Sequence, residues 1–291
     1  MRAPRVLSGS ARLAGILGWP VAHSRSPRLH GFWLDRHGID GAYVPLPVRP
    51  ENLATAVRAL RDLGFRGGNV TIPHKEAVVP LCDRLEESAA RAGAVNTLVF
   101  ESDGTIVGLN TDGAGFVAAL AQSVPGFSPA AGPAVLLGAG GGARAVAAAL
   151  LDAGCPEVVL VNRTLARAEA VAAALGRSVT VAPWGDLQPL SRAGLLVNTT
   201  SLGMKGEPPL AISLDALPRE AVVADLVYVP RITELLDRAA ARGHRTMGGL
   251  GMLLHQAGIG FFRWFGVLPE VDEEVAAFVG ADIPERLPAG A

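Results

Sequence analysis

Residues 133–149 read PAVLLGAGGGARAVAAA, a stretch that predicts a strand, a glycine-rich turn and a helix. The apolar run Ala134 to Leu137 has the character of a strand buried on both faces, and the alanine-rich segment from Ala143 onward is a helix former. Between them Gly138, Gly140 and Ala143 complete G-x-G-x-x-A, with Ala139, Gly141 and Gly142 filling the turn. The first glycine permits the tight turn, the second lets a pyrophosphate approach the backbone, and the small third residue lets helix and strand pack closely. Free N–H groups at the helix start then meet the phosphates of a dinucleotide.

Such a fingerprint is weak alone, so the next strand has to support it. PEVVLV, residues 156–161, reads as that strand, and its end is where an acidic side chain would take the adenosine ribose hydroxyls. Here the positions hold Asn162, Arg163 and Thr164, with Arg167 a helical turn further on. No carboxylate opposes a 2'-phosphate and two guanidiniums can bind one, so the pattern points to NADP rather than NAD. The plain alternative is a basic, surface-exposed helix start.

At 291 residues the chain exceeds one ordinary core, and about 150 residues per domain suggests two. Lys and Arg number 26 against 27 Asp and Glu, a net charge of -1, which gives no support for a nucleic acid or an anionic membrane as partner. Hydrophobic residues make up 49%, yet no uninterrupted run approaches the roughly 18 that a membrane span needs. A soluble globular protein is expected. Cys82 and Cys155 are isolated in predicted core segments, with no C-x-x-C, and Met1 to Ser10 has no apolar core of the signal-peptide kind. Inert thiols and a reducing cytoplasm follow.

The N-terminal half alternates strand and helix. Arg12 to Leu17, Tyr43 to Val48 and Gly67 to Ile72 read as strands, and Glu51 to Leu63 as an amphipathic helix, so a parallel sheet is expected. Ser26 before Pro27 reads as the N-cap of a helix carrying Leu29, Phe32 and Trp33. Ser24 is not needed for that cap, and two hydroxyls beside a helix start suit a carboxylate. The third strand runs out through Thr71, Ile72, Pro73 and His74 to Lys75, at the sheet edge where ligands bind in open α/β sheets. Lys75 either exchanges a proton with a reacting oxygen or is a solvated lysine opening a helix from His74 to Leu81. His74 has no second His at ligand spacing. Asn96 begins a strand that returns through Ser102-Asp103-Gly104 as a hairpin, and Asp112 reads as the N-cap of a helix to Gln122.

GWPVAHSRSP, GGNVTIPHK, GAVNTL, GLNTDGAG, GAGGGARA and NRT, in this order, resemble the shikimate dehydrogenase family over nearly the whole chain. The resemblance implies that Ser24 and Ser26 hold a substrate carboxylate, that Thr71, Asn96, Asp112 and Gln256 hold ring hydroxyls, and that Lys75 and Asp112 form the catalytic pair. It further implies that Tyr228 borders substrate and nicotinamide, and that Thr199, Thr200, Ser201, Gly249 and Met252 meet the cofactor. Gly31 and Gly248 depart from the family, where Asn and Asp are common. No metal is implied.

Strands at 178–182, 195–198, 222–226 and 244–247 continue the doubly wound pattern, followed by an amphipathic helix from Met252 to Phe265 and a last helix from Glu270 to Val279. Asp282 to Ala291 reads as a poorly ordered tail. The expectation is therefore an α/β protein of two domains: an N-terminal α/β substrate domain of residues 1–111 plus 249–291, and a doubly wound Rossmann-type NADP domain of residues 112–248. The active site is expected in the cleft between them. The activity implied is NADP-dependent, reversible reduction of 3-dehydroshikimate to shikimate, in the shikimate pathway to chorismate and the aromatic amino acids. Alternatives are a quinate/shikimate enzyme, an aminoshikimate-type relative, a folate-linked methylene dehydrogenase, and a non-catalytic dinucleotide sensor. The oligomeric state stays open, a homodimer included.

Overall fold

The computed structural model describes residues 6–287. Two compact units result, one of residues up to Thr111 with Gln256–Val279, the other of Asp112–His255 with the residues from Gly280 on.

The first unit begins β1 (Arg12–Gly18), α1 (Ser26–Arg36), β2 (Gly41–Pro47), α2 (Leu53–Asp62), β3 (Gly67–Val70), β4 (Arg84–Leu85), α3 (Glu87–Ala92), β5 (Thr97–Phe100) and β6 (Ile106–Leu109). Its sheet has the order β2-β1-β3-β5-β6-β4. β1 pairs in parallel with β2 and β3, as strand–helix alternation predicts, yet β5 is antiparallel to both β3 and β6. The sheet is therefore mixed, not parallel throughout. Gly104, at φ +88°, turns β5 straight back into β6, and so short a link can only join antiparallel strands.

No α-helix forms from His74 to Leu81. Turns carry the chain past Val78, and a single 3-10 turn spans Val79–Leu81. Pro80 has no N–H to donate to an i−4 carbonyl, which disfavours a regular helix there.

The second unit contains α4 (Asp112–Ser123), β7 (Ala134–Leu137), α5 (Gly141–Asp152), β8 (Val158–Asn162), α6 (Leu165–Leu175), β9 (Val179–Pro183), β10 (Leu195–Asn198), β11 (Val222–Asp225), α7 (Glu234–Ala241) and β12 (Thr246–Met247). All pairings in its sheet are parallel, in the order β12-β11-β10-β7-β8-β9. Along β7, Ala134 and Leu136 join a core with Phe116, Val146 and Leu150, whereas Val135 and Leu137 join another with Leu196, Leu235 and Leu236. Side chains alternate faces with period two, so a strand covered on both sides must be apolar throughout. The chain leaves β7 for β8 on one side and returns to β10 on the other, so the strand order reverses between β7 and β10, the place where open α/β sheets bind ligands.

Two further helices follow, α8 (Gly249–Phe265) and α9 (Glu273–Gly280). The division of the chain falls inside α8, between His255 and Gln256, not ahead of Gly249. In the first unit Trp33 of α1, Tyr43 of β2, and Phe261 and Trp264 of α8 surround His30, with Tyr43 stacked on its ring at 4.0 Å. α9 packs on α1 through Phe278 and Phe32, ring centroids 4.9 Å apart, and through the Arg36–Asp272 ion pair at 2.8 Å. Residues beyond Gly280 return to the second unit: Arg231 and Ile232 donate backbone N–H to Pro284 and Glu285, and Arg286 pairs with Asp237 at 2.9 Å. These bonds hold 282–287 in place, correcting the expectation of a loose tail there; residues 288–291, like 1–5, lie outside the described residues. No helix of the described residues is long and apolar enough to cross a membrane.

Candidate active site

Ser26 is the first residue of α1 and not its cap, since Arg25 occupies the cap position. No side chain caps this helix, but Ser24 Oγ accepts the N–H of Ser26, its first residue, at 3.2 Å. The Ser26 side chain is buried and hydrogen-bonded to the Tyr43 phenol. Tyr43 in turn donates to Asn69 Oδ1 at 2.6 Å. Burial pushes the phenol pKa well above its ordinary value, so Tyr43 keeps its proton.

From Asn69 a directed chain of hydrogen bonds runs through the unit. Asn69 Nδ2 donates to Thr97 Oγ1 at 3.1 Å, Thr97 Oγ1 to Asn96 Oδ1 at 2.9 Å, Asn96 Nδ2 to Thr111 Oγ1 at 3.0 Å, and Thr111 Oγ1 to Gln256 Oε1 at 3.2 Å. The Thr111 N–H adds a bond to Asn96 Oδ1 at 2.9 Å. Each of these residues is buried, and burial of amides and hydroxyls is tolerated only when they are paired. Asn96 and Gln256 are thus brought together by partners that sequence reading did not single out: Tyr43, Asn69, Thr97 and Thr111. A signal existed in the polar Asn69 inside the short buried strand GGNV, directly opposite Thr97 in register.

Thr71 follows β3, half-buried, its N–H donating to Leu17 O at 2.9 Å and its methyl lying against Gly18. Lys75 lies in the turns beyond, half-buried, its carbonyl accepting the Val95 N–H at 2.8 Å. That bond ties the lysine backbone to the segment leading into Asn96. His74 is buried and its Nε2 bonds Val48 O at 2.7 Å, a structural duty. Asp112 is buried at the first turn of α4, in the second unit. Among the described residues no group of three His, Cys, Asp or Glu could hold a metal.

In the second unit the fingerprint glycines separate by function. Gly138 has φ +114°, and a Cβ there would lie 2.6 Å from Thr199 Oγ1. Only glycine fits so close to the β10 end. At Gly140 and Gly141 a Cβ would meet nothing within 4 Å, so this surface is open toward solvent where α5 starts. A pyrophosphate can approach there onto the N–H groups of a twelve-residue helix. Gly142 has Leu226 at 3.5 Å, while Ala139 and Ala143 are buried, which leaves Ala139 only its main chain for a ligand. Beyond β8, Asn162 Nδ2 bonds Thr164 O at 2.8 Å and shapes the turn that presents Arg163, with Thr164 and Arg167 also exposed. Among the described residues neither arginine has a carboxylate partner. The residues present therefore fit an NADP 2'-phosphate.

Thr199 donates Oγ1–H to Leu137 O at 2.7 Å, Thr200 is half-buried, and Ser201 is exposed. Tyr228 follows β11, half-buried. Gly249 is required by packing, because a Cβ there would sit 2.5 Å from the Leu226 carbonyl carbon, and Met252 packs against the core. At Gly31 a Cβ would meet open space, whereas at Gly248 it would come 3.1 Å from Arg231 O. A larger residue is therefore easier to admit at Gly31. Both thiols are held protonated by burial, Cys82 pushed up to about 11.

An all-parallel dinucleotide sheet, and a mixed sheet carrying a buried set of hydroxyls and amides, define a two-domain nucleotide-dependent dehydrogenase. Residues 16–98 match the shikimate dehydrogenase substrate binding domain, and residues 120–202 match the shikimate / quinate 5-dehydrogenase domain. The chain belongs to the shikimate dehydrogenase family. A relative from Paramagnetospirillum magneticum, named Shikimate dehydrogenase (NADP(+)), is 58% identical over 94% of this chain and 99% of its own. The shikimate 5-dehydrogenase of Thermus thermophilus, solved with NADP(H) and shikimate, is 38% identical over 93% of this chain and 98% of its own, with a TM-score of 0.81. The quinate dehydrogenase of Corynebacterium glutamicum, solved with NAD, is 32% identical over 93% and 99%, with a TM-score of 0.86.

Proposed function

We propose that this chain catalyses the NADP-dependent, reversible reduction of 3-dehydroshikimate to shikimate, in the cytoplasm, on the route to the aromatic amino acids. The observation that carries the substrate side is the buried chain from Ser26 to Gln256, whose hydroxyls and amides form a recognition set for a small polyhydroxylated ring. When bound, NADPH supplies a hydride to the carbonyl carbon. The chain's own groups do the rest. Ser24 and Ser26 donate to the ring carboxylate, while Thr71, Asn96 and Gln256 receive the hydroxyls. Lys75 gives the proton that the carbonyl oxygen needs on becoming a hydroxyl, and takes it back in the oxidation direction. Asp112 completes the pair as hydrogen-bond acceptor and orienter. Backbone N–H groups at α5 hold the pyrophosphate, and Arg163 and Arg167 hold the 2'-phosphate.

The deciding experiment follows NADPH formation by absorbance with shikimate and NADP, run beside quinate and beside NAD. Fast turnover with shikimate and NADP alone is expected; no turnover with any pair, despite tight NADP binding, would sink the proposal. Loss of both phosphate-binding arginines, Arg163→Ala with Arg167→Ala, is expected to raise the KM for NADP about 100-fold with little change toward NAD, each charge-assisted bond contributing about 1.5 kcal/mol. An equal rise for both cofactors would remove these arginines from phosphate recognition.

A further inference from the structure

Asp225, the last residue of β11, is 1% exposed and carries a carboxylate where the sheet interior would accept an apolar side chain. Both of its oxygens are engaged. Oδ1 accepts from Asn198 Nδ2 and from the Val227 N–H, both at 2.9 Å, and Oδ2 accepts the Thr233 hydroxyl at 2.7 Å. Asn198 is its register partner at the end of β10, and the same amide holds the next loop. Asn198 Nδ2 also donates to Leu202 O at 3.0 Å, while its Oδ1 accepts both the Thr200 N–H at 3.0 Å and the Thr200 hydroxyl at 2.7 Å. Thr200 Oγ1 then accepts the Leu202 N–H at 3.1 Å.

One buried acid therefore ties two loops at the carboxyl ends of adjacent strands, one carrying Thr199, Thr200 and Ser201, the other carrying Tyr228. Packing alone does not call for it, since a buried charge costs free energy that only well-made hydrogen bonds offset. Burial pushes the Asp225 pKa up to about 6, against the pull of the bonds from Thr233, Val227 and Asn198. An amide at this position would offer fewer acceptor sites to the same three donors.

We infer that Asp225, acting through Asn198 and Thr233, is a positioning residue that fixes the two loops in the shape NADP binding requires. This rests on the reading of Thr199, Thr200, Ser201 and Tyr228 as ligand-facing. The test uses the full-length protein and titration calorimetry with NADP+, on wild type, Asp225→Asn, Thr233→Val and Thr233→Ser. Thermal midpoints without cofactor and the KM for shikimate are measured on the same preparations. NADP+ affinity is expected to fall about tenfold or more in Asp225→Asn and Thr233→Val, with the shikimate KM rising by clearly less, through the Tyr228 loop alone, and to be retained in Thr233→Ser, which keeps the hydroxyl. Unchanged NADP+ affinity in Asp225→Asn and Thr233→Val, whatever their thermal midpoints, overturns the inference alone. So does a shikimate KM that rises in step with the loss of cofactor affinity. Should Asp225→Asn not fold, the Thr233 pair decides. Wild-type protein that fails to bind NADP+ would remove the cofactor reading itself and the inference with it, an outcome distinct from the others.

Discussion

Lys75→Ala is expected to lower kcat for shikimate oxidation by about 10²- to 10⁴-fold, the range that a positioned general acid–base supplies, while the dissociation constant for shikimate changes little. The split follows from what the side chain is asked to do. The hydroxyl and carboxylate contacts are assigned to Ser24, Ser26, Thr71, Asn96 and Gln256. The proton is assigned to the Lys75 ammonium, since the residues of that set carry only hydroxyls and amides. The lysine backbone is held by Val95 N–H at 2.8 Å, so truncating the side chain leaves the turn in place. Stopped-flow turnover beside equilibrium shikimate binding separates the two effects. A variant that retains near-normal kcat removes Lys75 from the chemistry, and one that loses substrate binding in proportion makes it a binding residue instead.

Gly67→Ala is expected to cost about 4 kcal/mol of stability, adding the strain of an unfavourable φ to an overpacked contact. Gly67 has φ +143°, and its Cβ would overlap the Leu98 carbonyl oxygen and lie 2.5 Å from Trp264 Nε1. That carbonyl is also the acceptor for Trp264 Nε1, at 2.9 Å. Relief would need the β5 backbone or the Trp264 ring of the aromatic cluster to move, and neither is a flexible side-chain end. Urea unfolding of the purified variant gives the value. A midpoint shift equivalent to less than about 1 kcal/mol would mean that β3 adjusts freely. By contrast, alanine at Gly104, which also has positive φ but no neighbour within 4 Å, carries only the conformational part of the cost.

What the sequence made legible was what neighbours in the chain decide. The strand 134–137 was read to its ends, and the turn glycines were read from spacing, because a tight turn before a helix is a local demand. Ser26 misled for the same reason. Ser-Pro satisfies the local statistics of a helix start, but the helix begins one residue earlier than the cap reading requires, with Arg25 at the cap and no side-chain cap bond. The β5–β6 hairpin was legible in its Asp-Gly turn, but the antiparallel pairing of β3 with β5 was not, because it is a long-range choice, Asn69 meeting Thr97 across 28 positions. Gln256 lies 145 positions from Thr111, and only the resemblance singled it out. The Asp225 cluster was invisible for a different reason: an acid at a strand end looks like ordinary solvated polarity until its burial is seen.

The division of the chain within α8 also bears on biosynthesis. The first unit is begun by the earliest strands to be made, yet Phe261, Trp264 and Gln256 arrive only after the whole of β7 to β12 has been translated. Until then His30, Trp33 and Tyr43 lack the aromatic partners that enclose them, and Thr111 lacks its acceptor. The nascent chain thus carries a half-built apolar surface while the inserted sheet is being synthesised. Domains made in one contiguous run can fold in order of synthesis, but this unit cannot close until its last helix segment is released. Holding the growing chain free of aggregation during that interval is a burden set by topology, not by the stability of the finished fold.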